Sequence, residues 1–175
     1  DSATAQSIWV PTPDARLHAE VHGAAGGAPI VLIHGLGGSL ASWSAIPPAL
    51  ARKRRVAVVD LRGCGRSERG SSAITIPALA DDVAAVIAHL KAGRCHIVGH
   101  SLGGVIAQDL LVRHGGSCAA AVLVSTSSKV GAQAAEGWRR LADVVPPRRL
   151  PTSFAHPKRK PTGAARKSPT PQATR

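Results

Sequence analysis

The segment Gly99-His100-Ser101-Leu102-Gly103-Gly104 decides how the rest of this sequence is interpreted. It lies between an apolar run at residues 95–98 and a stretch whose apolar residues recur at helical spacing. A Gly-x-Ser-x-Gly segment between a buried strand and a helix is typical of a nucleophile elbow, a sharp turn that exposes a serine hydroxyl at the end of a sheet. We therefore predict Ser101 as a nucleophile and Gly99 and Gly103 as the glycines that the turn requires.

A second glycine-rich segment, His34-Gly35-Leu36-Gly37-Gly38, follows the apolar run at residues 30–33. Beside an elbow, such a loop supplies a backbone N–H that binds the substrate's oxyanion, and we assign this N–H to Leu36, after Gly35. The Leu102 N–H is the expected second donor. Leu40 stands where a dinucleotide fingerprint needs its third glycine, and no Gly-Lys-Ser/Thr follows, so we expect no cofactor.

Periodicity along the chain predicts strands that alternate with helices. The predicted strands are 8–10, 16–22, 29–33, 55–60, 95–98 and 119–124, the first two forming an antiparallel pair. The predicted helices are 42–53, broken at Pro47-Pro48, then 77–92, 101–114 and 133–145. Strands that alternate with helices form parallel βαβ units. We therefore predict the α/β class, with a mostly parallel sheet covered by helices on both faces.

Several polar and aromatic residues near these motifs are expected to have structural roles. Asp60 and Arg62, in a glycine-rich loop, are predicted to stabilise that loop. Asp81 and Asp82 fit the solvated first turn of a helix. Orienting or packing roles are expected for His34, His100, Trp43 and Trp138.

Charge is concentrated at the end of the chain. The sequence has 22 basic and 10 acidic residues, a formal charge of +12, and residues 146–175 hold eight of the basic residues, no acidic one and seven of the 13 prolines. Such a composition cannot bury enough apolar surface to fold, so we predict one domain over residues 1–145 and a disordered tail over 146–175. Non-specific binding of polyanions by this tail is an alternative function. Sequence-specific nucleic-acid binding is not expected, because Phe154 is the tail's only aromatic residue.

Three cysteines, Cys64, Cys95 and Cys118, form an odd set without C-x-x-C spacing. This pattern favours neither a disulfide framework nor a metal site, and reduced thiols favour a cytoplasmic location. No apolar run approaches the roughly 18 residues of a membrane span, and the N-terminal residues lack a signal-peptide pattern.

Three segments, in this order and spacing, resemble the α/β-hydrolase superfamily over residues 8–145. They are the glycine-rich loop at residues 34–38, the loop at residues 60–67 and the elbow at residues 99–104. Segments such as Asp60-Leu61-Arg62-Gly63 and Ser125-Thr126-Ser127-Ser128-Lys129-Val130-Gly131 look like the branch of 3-oxoadipate enol-lactonases and haloperoxidase-like esterases. The resemblance implies a serine hydrolase that acts on a small-molecule carboxylic ester or lactone. Cys64 departs from the histidine that this loop of the family most often carries.

The family's triad also needs an Asp and a His on loops after late strands, and the resemblance fades near residue 145. We therefore expect a C-terminally truncated hydrolase that lacks the last strands and leaves strand 119–124 as an exposed edge. Its tail is expected to be read out of frame or to be otherwise unrelated to the family's C-terminus. Candidates downstream of Ser101 are poor substitutes, and His156 is a weak candidate base; the others are Asp109, His114, Glu136 and Asp143. A serine without a base is a weak nucleophile, so catalysis is expected to be impaired; an inactive remnant is the alternative.

Overall fold

Six strands and three α-helices form the part of the chain that the structure, a computed structural model, describes: residues 5–24, 26–129, 131–133, 135–136 and 140. The strands are β1 (Gln6–Pro11), β2 (Arg16–His22), β3 (Ile30–Ile33), β4 (Val56–Val59), β5 (Cys95–His100) and β6 (Cys118–Val124). The helices are α1 (Ile46–Ala51), α2 (Ile76–His89) and α3 (Leu102–His114). Most of the predicted helix 133–145 and all of the tail 146–175 lie outside the described residues.

The strands form one mixed, mostly parallel sheet in the order β1-β2-β4-β3-β5-β6. Strands β3, β4, β5 and β6 run parallel, whereas β2 is antiparallel to both β1 and β4. The central strands are buried on both faces because nearly all their residues are apolar. The predicted α/β class and the parallel sheet are confirmed.

Helices cover both faces of this sheet. Val31 and Ile33 of β3 pack in a cluster with residues of α2 and α3, whereas Leu32 packs on the other face with Trp43 and residues of α1. Since successive side chains of a strand point to opposite faces, β3 joins the two halves of the core.

Two helices begin at different places from those predicted. In place of the predicted helix 42–53, the chain forms the 3₁₀ helix Leu40–Trp43 and then α1. The break between them therefore precedes Pro47 and Pro48. Proline is tolerated in the first turn of a helix, where an N–H has no intrahelical acceptor. Helix α2 begins at Ile76, capped by the Thr75 side chain, which accepts a hydrogen bond from the Ala78 N–H.

The prediction of a solvated first-turn position is wrong for Asp82. Asp82 is 2% exposed and forms a bidentate ion pair with Arg62, with N–O distances of 2.7 and 2.8 Å. Residue 82 lies one turn beyond Leu79, and therefore on the face of α2 that packs on the core. Asp81 is exposed, as predicted, and bonds Arg113 and His114.

Strand β6 lies at one edge of the described sheet, with β5 as its sheet neighbour. Three apolar residues near its end are exposed: Val122, Leu123 and Val124. The predicted apolar edge is therefore present in the described part of the chain. No helix among the described residues is long and apolar enough to cross a membrane.

Candidate active site

Ser101 occupies the sharp turn between β5 and α3. Its φ of 54° and ψ of −117° lie in a region of backbone conformation that residues other than glycine rarely adopt. Such a conformation costs about 1–3 kcal/mol. Two hydrogen bonds hold the backbone there: the Ser101 N–H donates to the Val124 carbonyl (3.0 Å), and the Thr126 hydroxyl donates to the Ser101 carbonyl (2.8 Å). The last residue of β6 and Thr126, just beyond that strand, therefore hold the backbone at Ser101.

Close backbone contacts explain the elbow's glycines. A Cβ at Gly103 would overlap the carbonyl oxygen of Ile33, and a Cβ at Gly99 would overlap that of Gly103. The first turn of α3 therefore lies directly on the end of β3. This contact brings the loop after β3 next to Ser101.

The loop after β3 turns back on itself beside Ser101. The Gly38 N–H donates to the Gly35 carbonyl, and a Cβ at Gly35 would lie only 3.1 Å from the Ser101 Cβ. Neither the Leu36 N–H nor the Leu102 N–H donates a hydrogen bond to any residue in the described part of the chain.

A cleft of about 390 Å³ opens above these residues. Its volume is within the range of small-molecule sites. Both polar residues and large apolar residues line this cleft. The lining residues are His34, Gly35, Leu36, Gly38, Ser42, Trp43, Ile46, His100, Ser101 and Val124. The Trp43 indole N–H has no acceptor among the described residues, which leaves a buried donor at this wall.

His34 is held as a neutral imidazole at the base of the loop. The Leu61 N–H donates to Nε2 (3.0 Å), so Nδ1 carries the proton and donates to the Gly35 carbonyl (2.8 Å). Burial lowers the pKa of His34 below its usual 6.5. These contacts fit the predicted orienting role and leave no free lone pair for a catalytic base.

His34 should make the fold less stable in acid. Below about pH 6.5 the unfolded chain binds a proton at this position, whereas the buried imidazole does not. The contribution of the neutral His34 to the free energy of unfolding is present above pH 6.5. It is lost, by up to about 1.4 kcal/mol per pH unit, as the pH falls towards the lowered pKa. Urea unfolding at pH 7.5 and 5.5 should therefore show a smaller pH-dependent loss for His34→Gln than for the unchanged chain.

The control for this measurement is His89→Gln, which removes an exposed histidine at the end of α2. Its loss of stability between the two pH values should be close to that of the unchanged chain. Equal losses in His34→Gln and His89→Gln would contradict the assignment of His34 as a neutral buried group.

The predicted substitutes for the missing base and acid do not meet Ser101. His114 bonds Asp81, Asp109 bonds Arg113, and Glu136 bonds Arg140. Asp143 and His156 lie outside the described residues. No histidine in the described ranges donates to or accepts from the Ser101 hydroxyl. These ranges also contain no group of three or more His, Cys, Asp or Glu side chains placed to hold a metal.

Sequence reasoning missed two wall residues of the cleft, Ile46 and Val124. Val124 carries a usable signal, because it ends a strand that runs parallel to β5, and parallel strands end at the same edge of a sheet. The position of Ile46 at the cleft depends on the direction in which α1 leaves the break after Trp43. The spacing of apolar residues along the sequence does not reveal that direction.

Residues 28–167 match the family model of the alpha/beta hydrolase fold. The chain belongs to the alpha/beta hydrolase family. The resemblance read from the sequence motifs is thereby confirmed. The match extends past residue 145, and the domain boundary placed there stays a prediction.

Relatives of this chain include proteins named for the cleavage of esters, carbamates and lactones. It is 40% identical over 121 residues to the "Putative carbamate hydrolase RutD" of Variovorax paradoxus (strain S110), covering 68% of this chain and 46% of that protein. It is 43% identical over 89 residues to the pimeloyl-[acyl-carrier protein] methyl ester esterase of Aeromonas hydrophila subsp. hydrophila, covering 50% and 34%. The crystal structure of the enol-lactonase from Burkholderia xenovorans LB400 has a TM-score of 0.67 at 30% identity, covering 71% and 48%. The chain thus spans less than half the length of these curated relatives.

Proposed function

We propose that this chain carries the nucleophile and oxyanion site of a hydrolase that cleaves a small carboxylic ester or lactone. The observation that carries the proposal is the strained backbone of Ser101 (φ 54°) at the carboxyl end of β5, on the floor of the cleft. Ligands of open α/β sheets bind at this edge. The names of the esterase and lactonase relatives support the substrate class.

In the proposed reaction the Ser101 Oγ attacks the carbonyl carbon of the substrate. The negative charge that develops on the carbonyl oxygen is stabilised by the Leu36 and Leu102 N–H groups, which have no acceptor among the described residues. The alcohol then leaves, or in a lactone the ring opens, and water hydrolyses the acyl-serine. Gly35, Gly99 and Gly103 serve by allowing the backbones around the serine to approach closely.

The proton of Ser101 needs a base that the described residues do not provide. Within the sequence, His156 is the candidate left for this role. A serine activated only weakly reacts slowly, so we propose that turnover by this chain is low. The three free thiols support a cytoplasmic location for the reaction.

The proposal is tested by reacting the purified chain with a fluorophosphonate probe and mapping the labelled peptides by mass spectrometry. The peptide that contains Ser101 should be labelled, because the elbow presents the hydroxyl to the cleft, and Ser101→Ala should remove this label. Ser128→Ala, at an exposed serine beyond β6, is the matched control and should leave the label on Ser101 unchanged. His156→Gln should slow the labelling of Ser101 by about 100-fold if this residue is the base.

The outcome that would contradict the proposal is a folded chain whose Ser101 peptide stays unlabelled at probe concentrations that label an ordinary serine esterase. Hydrolysis of aryl esters and lactones then gives a second measurement. Its rate should fall in Ser101→Ala and stay unchanged in Ser128→Ala.

A further inference from the structure

A second serine of the chain is hydrogen-bonded to a histidine, which in turn is hydrogen-bonded to a carboxylate. The Ser7 Oγ lies 2.7 Å from the His18 Nε2, and the His18 Nδ1 lies 2.9 Å from the Asp60 Oδ2. His18 and Asp60 are buried, whereas Ser7 is exposed at the surface. We propose that Ser7 is a nucleophilic hydroxyl, activated by His18 and Asp60, which accepts the acyl group of an activated carboxylic ester.

The hydrogen bonds of Asp60 determine which nitrogen of His18 carries the proton. The carboxylate accepts the Leu40 N–H (2.8 Å) on one oxygen and the Arg66 N–H (3.0 Å) on the other, which also faces the His18 Nδ1. Because a carboxylate only accepts, Nδ1 carries the proton and the lone pair of Nε2 faces Ser7. The Ser7 hydroxyl therefore donates to Nε2, and Asp60 fixes the imidazole in the tautomer that a general base needs.

Arg66 and Trp9 complete the surroundings of this hydroxyl. The Arg66 Nη1 lies 3.2 Å from the His18 Nε2, to which it also donates, and 3.5 Å from the Ser7 Oγ. The guanidinium therefore shares the Nε2 lone pair with the Ser7 hydroxyl in the resting site, and in the proposal it turns to the oxyanion when the ester is attacked. The Trp9 ring packs beside His18, with centroids 5.1 Å apart, and is 38% exposed. The guanidinium groups of Arg16 and Arg66 lie over this ring, 5.5 and 5.4 Å from its centroid, so only the part of the ring that they leave exposed can contact a substrate. Aryl esters are the expected substrates because a phenolate is a good leaving group.

The proposed step balances within these groups and the ester. The Ser7 Oγ bonds to the carbonyl carbon, and its proton passes to the His18 Nε2 as the carbonyl oxygen becomes an oxyanion beside Arg66. When the carbonyl re-forms, the bond to the leaving aryl oxygen breaks and that oxygen takes the proton from His18. The products are acyl-Ser7 and a phenol.

This site is separate from the cleft. Ser7 lies on β1, at one edge of the sheet, whereas Ser101 follows β5, four places along the strand order. His18, Asp60 and Arg66 do not line the cleft. The proposal for Ser7 therefore stands or falls independently of the one for Ser101.

The chain also contains a matched control serine. The exposed Ser71 hydroxyl donates directly to the Asp14 carboxylate (2.8 Å), and it has no imidazole partner among the described residues. Ser71 therefore reports the reactivity of a serine that has a carboxylate but no intervening base.

The test uses the full chain carrying Ser101→Ala, with p-nitrophenyl acetate as the acyl donor and peptide mass spectrometry as the readout. Acetyl should accumulate on Ser7 and not on Ser71. His18→Gln should slow acetylation of Ser7 by about 100-fold or more, the loss expected when a general base is removed. Unfolding the same chain in urea should abolish the difference between Ser7 and Ser71, whether or not the His18 variant folds.

Either of two results would overturn the proposal. The first is a folded chain that is acetylated equally, or not at all, on Ser7 and Ser71. The second is a folded His18→Gln variant that acetylates Ser7 at an unchanged rate.

Discussion

Asp82→Asn is expected to lower the free energy of unfolding by about 3–5 kcal/mol, because it removes one charge of a buried ion pair. The Arg62 and Asp82 side chains are 6% and 3% exposed, and both oxygens of Asp82 accept from the guanidinium, which raises the pKa of Arg62. Asparagine keeps the shape of the side chain but leaves the buried cation with only Asp14, a more exposed carboxylate (21%). Denaturant unfolding followed by circular dichroism measures the change.

The neighbouring residue gives the matched control. Asp81 stands one position earlier on the same helix, its side chain is 55% exposed, and it also bonds an arginine. Exposed ion pairs contribute about 0–1 kcal/mol, so Asp81→Asn should change stability by no more than that. Similar losses in the two variants would show that the ion pair of Asp82 is not worth more than one at the surface.

Gly103→Ala is expected to destabilise the fold by about 3 kcal/mol or more, although alanine is the better helix former by about 1 kcal/mol. The added Cβ would overlap the Ile33 carbonyl and lie 2.7 Å from that of His34. Both are backbone atoms at the end of a central strand, so they cannot move aside as a flexible side chain would. The steric cost therefore exceeds the gain in helix propensity, and thermal unfolding should show a clear fall in Tm.

The control for this substitution is Gly115→Ala at the end of the same helix. Gly115 has a helical φ of −53°, and no atom lies within 4 Å of an added Cβ. Alanine there should leave stability unchanged or raise it by up to about 1 kcal/mol, since it restricts the unfolded chain. A Gly103→Ala variant as stable as Gly115→Ala would contradict the close packing of α3 on β3.

The sheet could be predicted from the sequence because its signals are local. The run Ile30–Ile33 is continuously apolar, as a strand buried on both faces must be, and the alternation in Arg16–His22 matches a strand with one polar face. The glycine spacing around Ser101 likewise reflects a local steric need, so the turn was found where it was expected.

Burial of single charged residues could not be predicted, because it depends on partners far along the chain. Asp82 lies one turn after Leu79 on the buried face of α2, whereas Asp81 does not, but spacing alone does not show that a buried carboxylate finds a partner in Arg62, 20 residues away. His18 looks like the polar half of an alternating strand, yet it faces Asp60, which is 42 residues away. Ion pairs and hydrogen bonds of this kind form where loops bring distant segments together above the sheet. The periodicity of apolar residues along the sequence does not predict those contacts.

The hydrogen bond between Ser101 and the end of β6 links the turn that carries this serine to one edge of the sheet that the described residues form. A strand at a sheet edge opens more readily than a central one, and residues that share its hydrogen bonds open with it. The Ser101 amide, which donates to Val124, thereby belongs to the cooperative unit of β6 rather than to that of the central strands. Each local opening of β6 releases the restraint that keeps φ of Ser101 positive. The fraction of time in which Ser101 holds its positive φ therefore depends on the free energy of opening of β6.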